Sequence, residues 1–165
     1  MNNPRRILGI DPGLTITGYG ILEYSPLRPI LCEAGIIRTA DDAANSLEEK
    51  VLSVYKGVVD AIAQYRPEAM AVEQLYAHYD HPRTAILMGH ARGVIFLAAA
   101  QHGMPVVSYA ATQVKKIVTG NGRASKEQVQ RTIQRELGLA VLPEPPDVAD
   151  AIAVALCHYY QSRIE

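Results

Sequence analysis

The chain has 165 residues, 48% of them hydrophobic, and a formal net charge of −1. This length suits a single domain with its own core, and the hydrophobic fraction excludes a disordered chain. The charge is unevenly distributed, because the stretch from Arg83 to Arg135 carries many basic residues and a single acidic one, Glu127. One side of the molecule can therefore be positive although the total charge is close to zero.

The sequence favours a cytoplasmic protein without a membrane partner. No continuous apolar run reaches the length of about 18 residues that spans a membrane. Asp11 interrupts the first apolar run too early for a signal peptide. Cys32 and Cys157 lack the spacing of a zinc site, and we expect both to be buried free thiols.

Strands dominate the first part of the chain. The apolar runs predict three of them, at residues 6–11, 16–24 and 30–38. The intervening glycine and prolines mark tight turns, so we expect an antiparallel meander. Helical periodicity then covers residues 46–65, where Ser46 and Glu49 have the spacing of a capping box.

The second part of the chain alternates strands and helices. Strands are predicted at Ala69–Gln74 and Pro105–Tyr109. Helices are predicted at Pro82–His102, Ala111–Thr119, Ser125–Leu137 and Asp147–Ser162. A meander followed by βαβ units predicts one α/β domain over residues 1–165, with a mixed sheet that carries helices on its faces.

Four acidic residues occupy positions that solubility does not explain. Asp11 interrupts the first strand, and Glu73 ends the strand that follows the first helix. Asp147 and Asp150 lie three residues apart, on one face of the last helix. If the first and fourth strands are neighbours, Asp11 and Glu73 lie side by side at one edge of the sheet. The last helix then has to bring its two carboxylates to the same place.

Such a cluster predicts a divalent cation, because neighbouring carboxylates repel one another. Oxygen ligands suit Mg²⁺, with Mn²⁺ as a substitute. Two such ions are suited to phosphodiester hydrolysis, in which one activates water and the other stabilises the departing oxygen. The predicted catalytic residues are also the predicted metal ligands, namely Asp11, Glu73, Asp147 and Asp150.

Each of these acids also has a purely structural interpretation. Asp147 follows two prolines and could cap the last helix, and Asp150 could interact with the helix dipole. Glu73 could pair with an arginine, and Asp11 could form a turn before Pro12 and Gly13. One shared site explains all four positions together.

Five sequence blocks resemble the RuvC-type Holliday junction resolvases, a family with the ribonuclease-H-like fold. They are LGIDPGLTITGYGI at 8–21, AVEQLY at 71–76, ARGV at 91–94, QVKKIVTGNGRASKEQV at 113–129 and DVADAIAVALCHYY at 147–160. The resemblance covers nearly the whole chain and implies a mixed five-stranded sheet with helices on both faces. Its catalytic acids carry over to Asp11, Glu73, Asp147 and Asp150, although Asp147 is histidine in some family members.

The resemblance also implies a function. The family members are homodimers that bind four-way DNA junctions and work with a branch-migration helicase complex. They cut two strands of like polarity at symmetric points and leave 5′-phosphate and 3′-hydroxyl ends. The expected role is therefore Mg²⁺-dependent junction resolution in recombination and DNA repair.

Several residues are predicted to contact the DNA. Lys115 and Lys126 match basic residues that the family uses on the DNA backbone, and Tyr76 matches an aromatic residue that stacks on a base. We add Arg92 and Arg123 from their position and charge. Contacts of this kind would make binding strongly salt-dependent.

Two segments leave alternatives open. The loop AHYDHPRTA departs from the family pattern, and His78 and His81 could contact DNA or, as a weaker alternative, a metal. The helix with ILMGHARGVIFLAAA carries Gly89 and Gly93, which permit close approach of another helix. Its apolar face could belong to the core or to a dimer interface.

Other functions are also compatible with parts of the sequence. DPGLTITGYG is similar to the phosphate loop of actin-like ATPases and sugar kinases, but these proteins need two such domains. A nucleic-acid-binding module without catalysis would not need all four acids. A nuclease that acts on another branched or RNA substrate would share the chemistry.

Overall fold

The computed structural model describes residues 3–39, 45–75 and 81–163. Its strands are β1 (Arg6–Asp11), β2 (Ile16–Glu23), β3 (Ile30–Arg38), β4 (Ala69–Glu73) and β5 (Val106–Tyr109). Its helices are α1 (Leu47–Tyr65), α2 (Pro82–Gln101), α3 (Ala111–Thr119), α4 (Lys126–Leu137) and α5 (Pro146–Gln161). This order confirms the predicted succession of elements.

The strands form one mixed sheet in the order β3-β2-β1-β4-β5. The first three strands pair antiparallel, whereas β1 pairs parallel with β4 and β4 with β5. In these registers Asp11 lies opposite Gly18, and Ile10 lies opposite Val72. The first and fourth strands are therefore neighbours, as the acidic pattern required.

Helices cover both faces of the sheet. Alternate residues of each strand point to opposite sides, so both faces carry apolar side chains that the helices bury. Leu8, Ile10 and Ile21 pack with α1 and α2 on one face. On the other face, Ile7 and Leu22 pack with α3, α4 and α5. The predicted α/β architecture, with helices on both faces, is confirmed.

Two helix starts follow directly from the local sequence. Ser46 Oγ accepts a hydrogen bond from the main-chain nitrogen of Glu49, whose side chain accepts one from the nitrogen of Ser46. Ser125 and Gln128 form the same reciprocal pair before α4. The capping box at Ser46 confirms the prediction, and both boxes depend on residues only three apart in the sequence.

Helix α5 lies unusually close to the sheet. Its residues from Val148 to Cys157 are all buried apart from Asp150. A Cβ added to Gly9 of β1 would lie 2.1 Å from the main-chain oxygen of Ala151. Because β1 carries no side chain at this position, α5 rests directly on the strand that ends in Asp11.

Helix α2 is long and apolar enough, by length and composition, to cross a membrane. Arg83 and Arg92 interrupt its apolar sequence, so the expectation of no continuous apolar run of spanning length still holds. Its inner face packs into the core through Ala91, Ile95, Ala98 and Ala99. Its outer face leaves Ile86 and Leu97 exposed by 62% and 50%.

The cysteine prediction is half right. Both thiols are free, and Cys157 is buried within α5, as expected. Cys32 is exposed, so its predicted burial is wrong. The physical reason is that β3 is an edge strand of the sheet, and Cys32 Sγ lies 3.6 Å from a carboxylate oxygen of Glu23.

Candidate active site

Two of the predicted acids end neighbouring parallel strands. Asp11 is the last residue of β1, and Glu73 is the last residue of β4. The preceding residues, Ile10 and Val72, are partners in the sheet. The register therefore places both carboxylates at the same edge, where the carboxyl ends of the parallel strands lie.

The other two acids reach this edge from α5. The helix begins at Pro146 after the N-cap residue Pro145, with no side-chain hydrogen bond at the cap. Asp147 therefore does not cap the helix, and that alternative is wrong. Asp150 lies beyond the first turn, where the effect of the helix dipole is already small.

Asp11 is electrostatically coupled to the other three acids. Burial and the charges of Asp150, Asp147 and Glu73 raise the pKa of Asp11 from its ordinary value of 3.8 to about 8. A hydrogen bond between the side chains of Asp11 and Asp147 raises this pKa further. Near neutral pH the Asp11 carboxyl group is therefore largely protonated when no cation is bound.

Glu73 and Asp150 are coupled to two lysines as well as to each other. Partial desolvation raises the pKa of each carboxyl group, whereas Lys115 and Lys126 lower both. A cavity of about 170 Å³ lies between these four side chains. The two lysines that were predicted to contact DNA thus lie beside two of the predicted catalytic acids.

The donor set fits a hard divalent cation by its chemistry. All four candidate ligands supply carboxylate oxygens. Burial and, after it, neighbouring acidic groups raise the pKa values of Asp11, Glu73 and Asp150, and a bound cation would favour their charged forms. Among the described residues, no three acidic, histidine or cysteine side chains already form a metal-binding group.

Arg92 holds the main chain at the end of β4. Its Nη1 donates to the main-chain oxygen of Glu73 at 2.6 Å, and its Nη2 lies 3.4 Å from Ser108 Oγ. The guanidinium also lies 4.8 Å from the ring centre of Phe96, and desolvation lowers its pKa. Within the described residues no arginine pairs with the Glu73 carboxylate, so that alternative is not supported.

A cavity of about 350 Å³ opens between the strand ends and α2. Asp11, Glu73 and Arg92 are among its polar lining residues, and Pro12 and Met88 are among its apolar ones. The carboxylates are therefore accessible from outside the domain. A substrate segment could reach them here.

The loop between α3 and α4 carries the predicted residue Arg123, which is exposed. The main-chain nitrogen of Arg123 donates to Asn121 Oδ1 at 2.9 Å, and the main-chain oxygen of Asn121 accepts from Thr119 Oγ1 at 3.1 Å. Lys126 follows as the first residue of α4. Asn121 was missed by the sequence analysis, although an asparagine between two glycines is a turn signal.

Two predicted features lie outside the described residues. These are the stacking aromatic Tyr76 and the loop histidine His78. His81 is described, exposed, and placed at the N-cap position of α2. The roles of Tyr76, Arg92, Lys115, Arg123 and Lys126 in DNA binding remain predictions.

Comparison with known proteins gives a consistent result. The family model described as crossover junction endodeoxyribonuclease RuvC matches residues 7–158. The crossover junction endodeoxyribonuclease RuvC of Rhodopirellula baltica is 51% identical over 154 residues, which cover 93% of this chain and 85% of that protein. The same enzyme of Pelotomaculum thermopropionicum is 48% identical and covers 92% and 91%.

Solved structures agree with the sequence comparison. The T. thermophilus RuvC in complex with Holliday junction substrate has a TM-score of 0.90 and 34% identity, covering 97% of this chain and 96% of that one. The yeast mitochondrial Holliday junction resolvase shares the fold, with a TM-score of 0.65 at 12% identity, covering 98% of this chain and 82% of that one. On the strength of the family match and these relatives, the chain belongs to the RuvC family of crossover junction endodeoxyribonucleases.

Proposed function

We propose that this protein is an endonuclease that resolves four-way DNA junctions in recombination and DNA repair. It makes paired symmetric nicks by metal-dependent hydrolysis and leaves 5′-phosphate and 3′-hydroxyl ends. The observation that carries the proposal is the meeting of Asp11 with Glu73, Asp147 and Asp150 at an accessible sheet edge. Membership of the RuvC family supplies the substrate class.

The four carboxylates would hold Mg²⁺, with two ions per subunit as the proposed number and Mn²⁺ as a substitute. The bound ions would lower the pKa of the attacking water and stabilise negative charge on the phosphate and the departing oxygen. Asp11 and Glu73 are fixed at strand ends, and Asp147 and Asp150 are fixed on a buried helix. Rigid elements hold the ligands in position while the DNA is bound.

A basic surface beside the carboxylates would bind the DNA backbone. Lys115 and Lys126 lie at the site itself, and Arg123 extends this surface along the loop before α4. Arg92 contributes positive charge at the other cavity, which opens between the strand ends and α2. Tyr76 follows β4 in sequence by three residues, and we propose that it stacks on a base near the centre of the junction.

The outer face of α2 suits a homodimer interface. Ile86, Gly89, Gly93 and Leu97 are spaced so that they lie along one side of the helix. Among the described residues of the chain, a Cβ added to Gly89 or Gly93 would meet nothing within 4 Å. The two glycines would let a second helix approach closely, and Ile86 and Leu97 would become buried. A dimer would supply one active site for each of the two strands that are cut.

The cellular setting is proposed from the family resemblance. A cytoplasmic location and association with a branch-migration helicase complex suit a junction resolvase. A membrane partner is not proposed, because the apolar face of α2 has the alternative role of holding a second copy of the chain.

The deciding experiment uses an end-labelled four-way junction and a linear duplex of the same sequence, each with and without Mg²⁺. We expect paired nicks in the junction that depend on Mg²⁺, and no cutting of the duplex. Cleavage of both substrates would contradict junction selectivity and favour a broader nuclease. Binding of the junction without cutting, under varied metal and sequence, would favour a module that lacks catalysis.

A further inference from the structure

The first turn of α5 rests on β2 at Gly18. A Cβ added to Gly18 would lie 2.1 Å from the main-chain oxygen of Asp147, 2.4 Å from its carbonyl carbon and 3.0 Å from its Cβ. Such distances are far below van der Waals contact. Main-chain atoms of a helix cannot rotate aside as the end of a side chain can. Position 18 therefore tolerates no side chain while α5 keeps its place.

The same glycine is in register with Asp11, its partner on β1. Gly18 thus lies next to Asp11 in the sheet and directly beneath Asp147 of the helix. The charge of Asp147 acts on the Asp11 carboxyl group across this point. A displacement of the first turn away from β2 would move Asp147, and Asp150 about one turn later, away from Asp11.

We propose that Gly18 is a positioning residue of the active site, and that its missing side chain sets the separation between the α5 carboxylates and Asp11. The inference rests on the proposed function. Gly18 contacts the main chain of Asp147, and its effect on the reaction passes through the α5 carboxylates.

The chain offers a matched control two residues along the same strand. A Cβ added to Gly20 would meet Ile152 Cγ1 at 2.9 Å, with main-chain atoms of the helix no closer than 3.5 Å. Ile152 lies further along the same buried contact, away from the carboxylates. The side chain of Ile152 can adjust its rotamer, so Gly20→Ala should strain the packing without moving the first turn.

The test measures Mn²⁺ affinity by titration calorimetry for wild type, Gly18→Ala and Gly20→Ala, together with junction cleavage and junction binding in EDTA. We expect Gly18→Ala to weaken Mn²⁺ binding by about 10–100-fold and to slow cleavage correspondingly. Junction binding in EDTA should be retained, because Lys115 and Lys126 lie on α3 and α4. Gly20→Ala should lower thermal stability but keep the wild-type Mn²⁺ affinity.

Two outcomes would overturn the proposal. One is that Gly18→Ala binds Mn²⁺ with wild-type affinity. The other is that Gly20→Ala loses as much Mn²⁺ affinity as Gly18→Ala when both variants lose the same thermal stability. A wild-type protein that neither binds Mn²⁺ nor cuts the junction would instead refute the proposed function. The two failures are therefore distinguishable.

A second measurement covers the case in which Gly18→Ala does not fold. The substitution is then made in the Asp11→Asn background, where carboxylate repulsion is reduced. Amide hydrogen exchange should accelerate at Val148–Asp150 more than at Leu156–Tyr159, because only the first turn is displaced. Uniform acceleration along α5 would mean that Gly18 acts on packing in general, and the proposal would be wrong.

Discussion

Asp11 stabilises the folded chain only when it is protonated or paired with a cation. Its pKa rises from an ordinary 3.8 to about 8 because it is buried and surrounded by three other acids. The folded state therefore binds a proton more tightly than the unfolded state between these two values. The associated stability is fully present below about pH 4 and is lost as the pH rises through about 8.

Asp11→Asn should therefore stabilise the protein in EDTA, since the neutral amide removes the buried charge. We expect a gain in the free energy of unfolding of about 1–3 kcal/mol at pH 8, shrinking towards zero near pH 4. Urea denaturation of both proteins at several pH values measures this difference in the free energy of unfolding. The exposed acid Asp60 of α1 gives the control, Asp60→Asn, which should show no such trend. A gain that does not depend on pH would contradict the coupling of the carboxylates.

The same substitution should abolish cleavage while preserving recognition. The amide of the Asp11→Asn variant would contribute one neutral oxygen where a charged ligand is expected, so we predict a loss of about 100-fold or more in the cleavage rate. Gel-shift affinity for the junction should be unchanged, because the basic side chains remain. Normal cutting by Asp11→Asn would refute the proposed metal site.

Among the elements, helix α2 carries an exposed apolar face, on which Ile86 and Leu97 lie. Leu97 is 50% exposed on this face, beside the open surface of Gly93. If a second copy covers it, Leu97→Glu would bury an unpaired charge at the interface. We expect this variant to sediment as a monomer and to lose paired nicking.

The matched control for this prediction is Leu27→Glu. Leu27 is 93% exposed and lies in the segment between β2 and β3, away from α2. Its substitution adds the same charge to the surface and should leave sedimentation unchanged. A dimeric Leu97→Glu protein would exclude this face of α2 as the interface.

At the scale of the whole molecule, the distribution of charge matters more than its sum. The net charge is −1, yet Lys115 and Lys126 meet beside the carboxylates. Lys115→Glu should weaken junction binding about 10-fold or more at moderate salt and make the salt dependence less steep, because fewer counterions are released. Mn²⁺ affinity should persist.

Lys56→Glu provides the corresponding control, since Lys56 is exposed on α1, the helix on the opposite face of the sheet. It changes the net charge by the same amount and should leave the slope of affinity against salt unchanged. Equal effects of the two substitutions would mean that total charge, and not the surface around Lys115, governs binding.

Local sequence patterns were enough to predict the elements and to single out the four acids as candidate ligands. Alternating and helical apolar periods depend on neighbouring residues, and the capping boxes at Ser46 and Ser125 close over three residues. Asp11 stood out because an acid in an apolar strand requires a partner. The neighbourhood of β1 and β4 was only a condition of that prediction, and the register of the sheet meets it.

Tertiary structure decided what depends on partners distant in the chain. Arg92 reaches the main chain of Glu73 from α2, and Gly18 underlies Asp147 through contact between β2 and α5. The exposure of Cys32 depends on which strand lies at the edge of the sheet. Local sequence patterns do not predict these contacts between distant elements. The packing of those elements sets the main-chain distances between them, and these distances bring the four carboxylates to one edge of the sheet.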